Sequence, residues 1–317
     1  MLRLFNLFDL PLIHRLNEQG IPLHSEATLT RKPQSLWETL FSVVGGKSSV
    51  YVWRADERDT AGFVQLHISD GSSYAQMVRL GTTPAGEQFA PNQEVWLPLL
   101  DNLIQTVGQQ GVHGLIAEVS ESGPELPILR RAGFAIYTRQ DIWLLEQAPA
   151  GPPQSLLIPQ QSADEWDISL LYANMVPPLV QLVEPMVPAG GRGWLLREDG
   201  DLAAFVHVHS GPAANWLRFF IHPNATTQAD EIVEAALRLN HSNQSAPYFC
   251  CVRRDQSWLQ GALEKAGFQL WASQAVLVKH TVHYIPQKTS EMGRVLAKSV
   301  RPRTVAQPYR PPKVNQN

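Results

Sequence analysis

Three groups of side chains in this sequence could do chemistry. Glu118 and Glu121 lie at the end of the apolar run Gly114-Leu-Ile-Ala-Glu-Val119, which reads as a strand. Sheets that alternate with helices often expose functional groups at such strand ends. A carboxylate there can act as a general base, or it can be an ordinary solvated side chain. His207 and His209 share one face of a second strand, a spacing open to zinc or to two histidines satisfied by their neighbours. The sequence places no Cys, Asp or Glu beside them, so no metal is expected. Cys250 and Cys251 are adjacent on a strand and point to opposite faces, which disfavours a disulfide between them. They read as buried thiols of a reducing compartment, and a cytoplasmic location is expected.

The elements that must position these groups repeat. Ser49–Arg54 with Gly62–Ile68, and Gly193–Arg197 with Leu202–Val208, read as hairpins. A third strand follows in each half, Ala75–Leu80 or Trp216–Ile221. Next comes a helix with apolar spacing at Val95, Trp96, Leu99, Leu100 and Leu103, or at Ile232, Val233, Ala236 and Leu237. A fourth strand, Gly114–Val119 or Tyr248–Val252, completes a crossover and should run parallel to the third. His67 aligns with His209 in this scheme. The match is strongest at Leu129-Arg-Arg-Ala-Gly-Phe134 and Leu263-Glu-Lys-Ala-Gly-Phe268, each followed six residues later by a glutamine, Gln140 or Gln274, and an apolar strand. Glycine there suits a helix end that needs positive φ, with the phenylalanine packing back. Each copy is expected to close with its own antiparallel strand pair.

The 317 residues are enough for two cores of ordinary size, and a net charge of −3 gives no global pull toward nucleic acid or anionic membrane. The Pro-rich stretch Gln147–Pro159 reads as a linker. The division expected is a first domain over 1–146, a linker over 147–159, a second domain over 155–284, and a basic, Pro-rich, disordered tail over 285–317. That tail could attach to an acidic partner, or merely solubilise the terminus. No apolar run is long enough to span a bilayer, so no membrane insertion is expected. The N-terminal run Met1–Pro11 is interrupted by Asn6 and Asp9 and reads as an ordered first element rather than a signal peptide. Most of the nine tryptophans fall on apolar phases and read as packing.

The order of strands, crossover helix and Ala-Gly-Phe turn resembles the GCN5-related N-acetyltransferase (GNAT) fold, in tandem. The resemblance implies an α/β (α+β) protein of two GNAT-like domains, each a mixed, mostly antiparallel twisted sheet with helices on both faces. It implies that the third and fourth strands splay apart, that the pantetheine arm of acetyl-CoA enters the gap like an added strand, and that the pyrophosphate sits at the start of the crossover helix. The cofactor-binding residues it implies are Leu80, Gly81 and Gly86 in the first copy and Ile221 and Asn224 in the second. Both phosphate loops depart from the family pattern Gln/Arg-x-x-Gly-x-Gly/Ala. The first has Gly81 and Gly86 at another spacing and the second has no glycine, so that Asn224, Thr226 or Thr227 could instead cap the helix. The tyrosine that many relatives carry four residues before the turn glycine is replaced by Leu129 and Leu263.

The function implied is an acetyl-CoA-dependent N-acyltransferase acting on a small-molecule or peptide amine. At most one copy would be catalytic, the first being favoured, with Glu118 or Glu121 as base. The alternative is a non-catalytic, acetyltransferase-like protein that binds a ligand or a partner protein.

Overall fold

The computed structural model describes residues 1–31, 48–55, 60–69, 72–83, 92–149, 151, 156–184, 191–239 and 245–281. The basic tail and Gly86 lie outside them, and Met1–Val282 packs as one unit.

The first half runs β1 (Leu2–Leu4), α1 (Leu10–Asn17), β2 (Ile21–Pro22), α2 (Ser25–Thr30), β3 (Ser48–Arg54), β4 (Ala61–His67), β5 (Tyr74–Thr82), α3 (Gln93–Gln109), β6 (Gly114–Ser120), α4 (Glu125–Arg131) and β7 (Ala135–Leu145). The second half repeats it as β8 (Ile158–Pro159), α5 (Glu165–Met175), α6 (Pro178–Gln181), β9 (Arg192–Glu198), β10 (Asp201–Ser210), β11 (Asn215–Ile221), α7 (Ala229–Leu237), β12 (Tyr248–Arg253), α8 (Gln260–Lys265) and β13 (Gln269–His280).

Both Ala-Gly-Phe turns form as the spacing predicts. Gly133 and Gly267 take φ of +86° and +90°. The amides of Phe134 and Phe268 bond back to the carbonyls of Leu129 and Leu263, each at 3.0 Å, and both rings are buried. These turns aim each closing strand back across the sheet.

The strands join in one sheet ordered β1-β3-β4-β5-β6-β13-β7-β12-β11-β10-β9-β8, with β2 added on β5. This corrects the expectation that each copy closes with its own antiparallel pair. Each copy contributes one long closing strand and exchanges it. β13 of the second half pairs with β6 of the first, β7 of the first pairs with β12 of the second, and β7 and β13 pair with each other. Gln140 stands opposite Gln274 at the centre of that pair, and each strand is bulged once, at Tyr137 and at Trp271, in mirrored positions. A pseudo-twofold axis thus passes between the two glutamines. Period-2 alternation reports which face a side chain takes and not which strand lies beside it, so the exchange is invisible in the pattern.

The cores follow the exchange. Val95, Trp96, Leu99, Leu100 and Leu103 of α3 pack on β4, β5 and β6, and Ala275 and Leu277 of β13 complete that cluster. Ile232, Val233 and Ala236 of α7 pack on β10, β11 and β12, with Trp143 and Leu145 of β7 completing theirs. Ile13 and Leu16 of α1 cover the other face of the first half, and Ile168, Leu171 and Tyr172 of α5 that of the second.

Candidate active site at the second fork and the chamber between the lobes

In each half the two parallel strands pair over three residues only. Tyr74, Ala75 and Gln76 face Gly114, Leu115 and Ile116, while Asn215, Trp216 and Leu217 face Tyr248, Phe249 and Cys250. Beyond these the arms diverge into a fork.

The first fork is filled from within. Ile21 and Pro22 pair antiparallel with Leu80 and Arg79, and the Leu23 amide donates to the Val78 carbonyl at 2.9 Å. On the opposite arm the Glu118 amide donates to the Leu23 carbonyl at 2.9 Å, and the Ser25 amide donates to Glu118 Oε2 at 2.7 Å. The segment therefore bonds both arms, as an added strand does, and the Leu23 side chain is fully buried. Leu80 and Gly81 are thereby enclosed, Gly81 packing against the Phe63 ring and the Leu16 carbonyl. Glu118 spends one carboxylate oxygen on this segment. Glu121 turns outward to Arg139 and Arg254, each at 2.7 Å.

The second fork admits no such strand among the described residues. Its arms are bridged by Gln256, whose side-chain amide donates to the Phe219 carbonyl at 3.0 Å. At its mouth lies a cavity of about 370 Å³ lined by Ile221, His222, Ala225, Thr227, Ala229 and Trp258, among others. Here α7 begins after Gln228, which makes no side-chain capping bond, so Asn224, Thr226 and Thr227 lie upstream of the cap. The Asn224 amide donates to the His222 ring at 3.2 Å. The amides of Thr226 and Thr227 donate to Glu198 at 2.7 and 2.8 Å. Hydrogen bonds from the Thr227 hydroxyl and from these two amides draw the Glu198 carboxyl down to about 2. The first turn of α7 adds Asp230 and Glu231.

On the other sheet face both forks border a polar chamber of about 160 Å³ between the halves. Alternation along β11 and β12 turns Leu217, Phe219, Cys250 and Val252 into the core and leaves Trp216, Arg218, Cys251 and Arg253 to line this chamber. Glu26 of α2 and His209 of β10 meet there, Nδ1 to Oε1 at 2.7 Å, joining the two halves. Burial works to raise the Glu26 carboxyl, but the His209 hydrogen bond and the fields of His24, His209 and His207 outweigh it and hold the group below its ordinary value. His207 is buried with neither ring nitrogen hydrogen-bonded, and burial takes it down to about 4.

Behind this pair Glu184 accepts from Arg253 Nη2 at 2.5 Å and from the Tyr137 hydroxyl at 2.6 Å. Burial opposes its charge, yet Arg253 and Arg218 keep its carboxyl low, while burial and Glu184 push the Tyr137 phenol well up. At the pseudo-twofold axis Ser25 Oγ and Gln140 Nε2 both donate to Gln274 Oε1 at 2.8 Å, and Cys251 Sγ donates to Gln140 Oε1 at 3.3 Å. Burial lifts the Cys251 thiol to about 11, so it stays protonated. His67 also lines the chamber, its Nδ1 3.3 Å from Ser48 Oγ. Among the described residues no three His, Cys, Asp or Glu side chains group as metal ligands. No helix there is long and apolar enough to cross a membrane.

Glu26, Glu184, Arg218 and Arg253 were not singled out by sequence. Arg218 and Arg253 carried a signal, being lone cations in otherwise apolar strands. Glu26 and His209 lie 183 residues apart, and nothing in the pattern joins them.

No protein-family model matches the sequence, and no curated protein matches it. Solved structures do match in fold. A tandem GNAT protein from the clavulanic acid biosynthesis pathway shares 15% identity with a TM-score of 0.52, over 89% of this chain and 99% of that one. A GCN5-related N-acetyltransferase from Sphaerobacter thermophilus shares 13% with a TM-score of 0.51, over 89% and 96%. A putative acetyltransferase from Pyrococcus horikoshii shares 13% with a TM-score of 0.51, over 89% of each.

Proposed function

We propose that this tandem GNAT fold is an acyltransferase in which the second half receives the acyl thioester and the chamber between the halves receives an amine. The observation that carries the reading is the second fork. Among the described residues no strand fills it; it opens at one end on the cavity beside α7, and at the other presents Arg218 and Cys251 to the chamber that holds Glu26 and His209. The first half, whose glycines and carboxylates favoured it in the sequence, has its fork closed by Ile21–Ser25.

A bound acyl thioester supplies an activated acyl group, which passes to the amine as the N–C bond forms and the C–S bond breaks. His209 takes the amine proton and returns it to the departing sulfur. Glu26 fixes the ring through Nδ1, leaving Nε2 as the proton acceptor, and stabilises the imidazolium that forms. Cys251, protonated and buried, contributes no nucleophile. The Phe219 carbonyl, now held by Gln256, offers the thioester arm a strand-like partner.

Acetyl-CoA fits this site in part. Its arm matches the fork, whereas its diphosphate would meet Glu198, Asp230 and Glu231 at the start of α7. That last observation favours a second reading, a non-catalytic protein that uses the chamber to bind a small molecule.

Turnover decides between them. With acetyl-CoA and a panel of amines the acyltransferase releases free thiol, and Glu26→Gln lowers kcat by about 10²–10⁴-fold without changing thioester affinity. No thermal stabilisation by millimolar acetyl-CoA, where saturation at 100 times Kd would add about 2.7 kcal/mol, leaves only the binding reading.

A further inference from the structure

The chamber holds a cation that makes no hydrogen bond among the described residues. Arg218 is the first residue of β11 past the last parallel pair, Leu217 with Cys250. Its side chain is only 13% exposed, and Nη2 lies 3.6 Å from Glu184 Oε2, beyond hydrogen-bond reach. Arg253 and Tyr137 both bond Glu184 at Oε1, which leaves Oε2 as the ion-pair partner of Arg218. Among the described residues Arg218 makes no hydrogen bond, and its guanidinium sits 5.4 Å from the centre of the Phe220 ring.

A guanidinium has five donors and no acceptor, and the ion pair to Glu184 balances the charge of Arg218 while leaving those donors without hydrogen bonds. The group that matches it is a carboxylate, which can accept two parallel bonds from the fork of donors. The proton acceptor stands close by. His209 faces Trp216 across β10 and β11, and Arg218 is two residues further along the same face. Such diagonal neighbours lie about 7–8 Å apart. A small molecule that carries both a carboxylate and an amine can therefore address Arg218 and His209 together. The other charges lining the chamber are Arg31, Glu26, which His209 already engages, Glu118, one oxygen of which the Ser25 amide holds, and Glu184 with its partner Arg253. A volume of about 160 Å³ leaves room for one compact acceptor.

We infer that the amine bound in the chamber is a small free amino acid, its carboxylate held by Arg218 and its amine presented to His209. The amine's fate rests on the acyltransferase reading; the carboxylate site rests on Arg218 alone.

Binding to the full chain, measured by calorimetry without any thioester, tests it. Alanine, leucine and lysine are each compared with ethylamine, 3-methylbutylamine and cadaverine, which lack only the carboxylate. At least one amino acid binds at least about tenfold tighter than its amine, as a charge-assisted bidentate pair requires. R218Q abolishes that difference and R218K restores part of it. Equal affinities within every pair, a preference that survives R218Q, or no binding at all overturns the inference. Should R218Q fail to fold, the wild-type pairs and R218K decide. Amino-acid binding without acyl transfer would remove the proposed reaction and leave this site standing.

Discussion

The two forks are built from equivalent strands and meet opposite fates. In the first, the chain between α1 and α2 enters the gap and bonds both arms through Leu23. In the second, the equivalent stretch between α5 and α6 is Val176-Pro177, whose Val176 amide bonds within its own half to the Tyr172 carbonyl. One duplicated scaffold thus yields a half whose fork is filled from within and a half whose fork takes no strand among the described residues. The filled fork also places α2, and with it Glu26, against His209 of the other half. Filling the first fork thus helps to build the chamber.

The comparison breaks most severely if the halves are separated. Residues 1–146 expressed alone lack β13, hence the partner of β6 and the buried Ala275 and Leu277. Circular dichroism should show no cooperative thermal transition for this fragment, and a monomeric, cooperatively melting fragment would refute the exchange. Within the intact chain, Leu23→Ala empties the centre of the filled fork and should cost about 2–5 kcal/mol in urea denaturation. The same measurement on Gln256→Ala, which bridges the open fork with one hydrogen bond, should register no more than about 1–3 kcal/mol.

A pH effect of similar size is expected from His207, buried beside the chamber. His207 titrates at about 4 when folded and near its ordinary 6.5 when unfolded. Its neutral form is no burden above pH 6.5. Below that the unfolded chain takes up a proton that the folded chain refuses, so stability is lost progressively until pH 4, by roughly 3 kcal/mol in all. His207→Leu should flatten this part of the profile, and an unchanged profile would reject the assignment. The smallest effect is expected at the open mouth. Glu198→Ala frees the Thr226 and Thr227 amides and should tighten acetyl-CoA by about fivefold, since one carboxylate leaves a helix start.

Much of this architecture was legible in the sequence. The Ala-Gly-Phe turns announce themselves because only glycine suits their positive φ, and two copies in one chain mark a duplication. The forks follow from strand, helix, strand. What pattern could not reveal is pairing between distant segments: the exchange of β7 and β13, the entry of a two-residue strand carrying Pro22, and the meeting of Glu26 with His209. Glu118, chosen for its place at a strand end, does border the chamber. Its neighbour Glu121 is drawn outward by Arg139 and Arg254, two cations that no local spacing connects with it.

Stoichiometry tests the central contrast most directly. Calorimetric titration of the full chain with acetyl-CoA should give one site per chain, abolished by Ala225→Trp at the mouth of the second fork and retained in a variant that alters the first, Leu80→Ala. Two sites, or one site that survives Ala225→Trp, would contradict the assignment of the thioester to the second half.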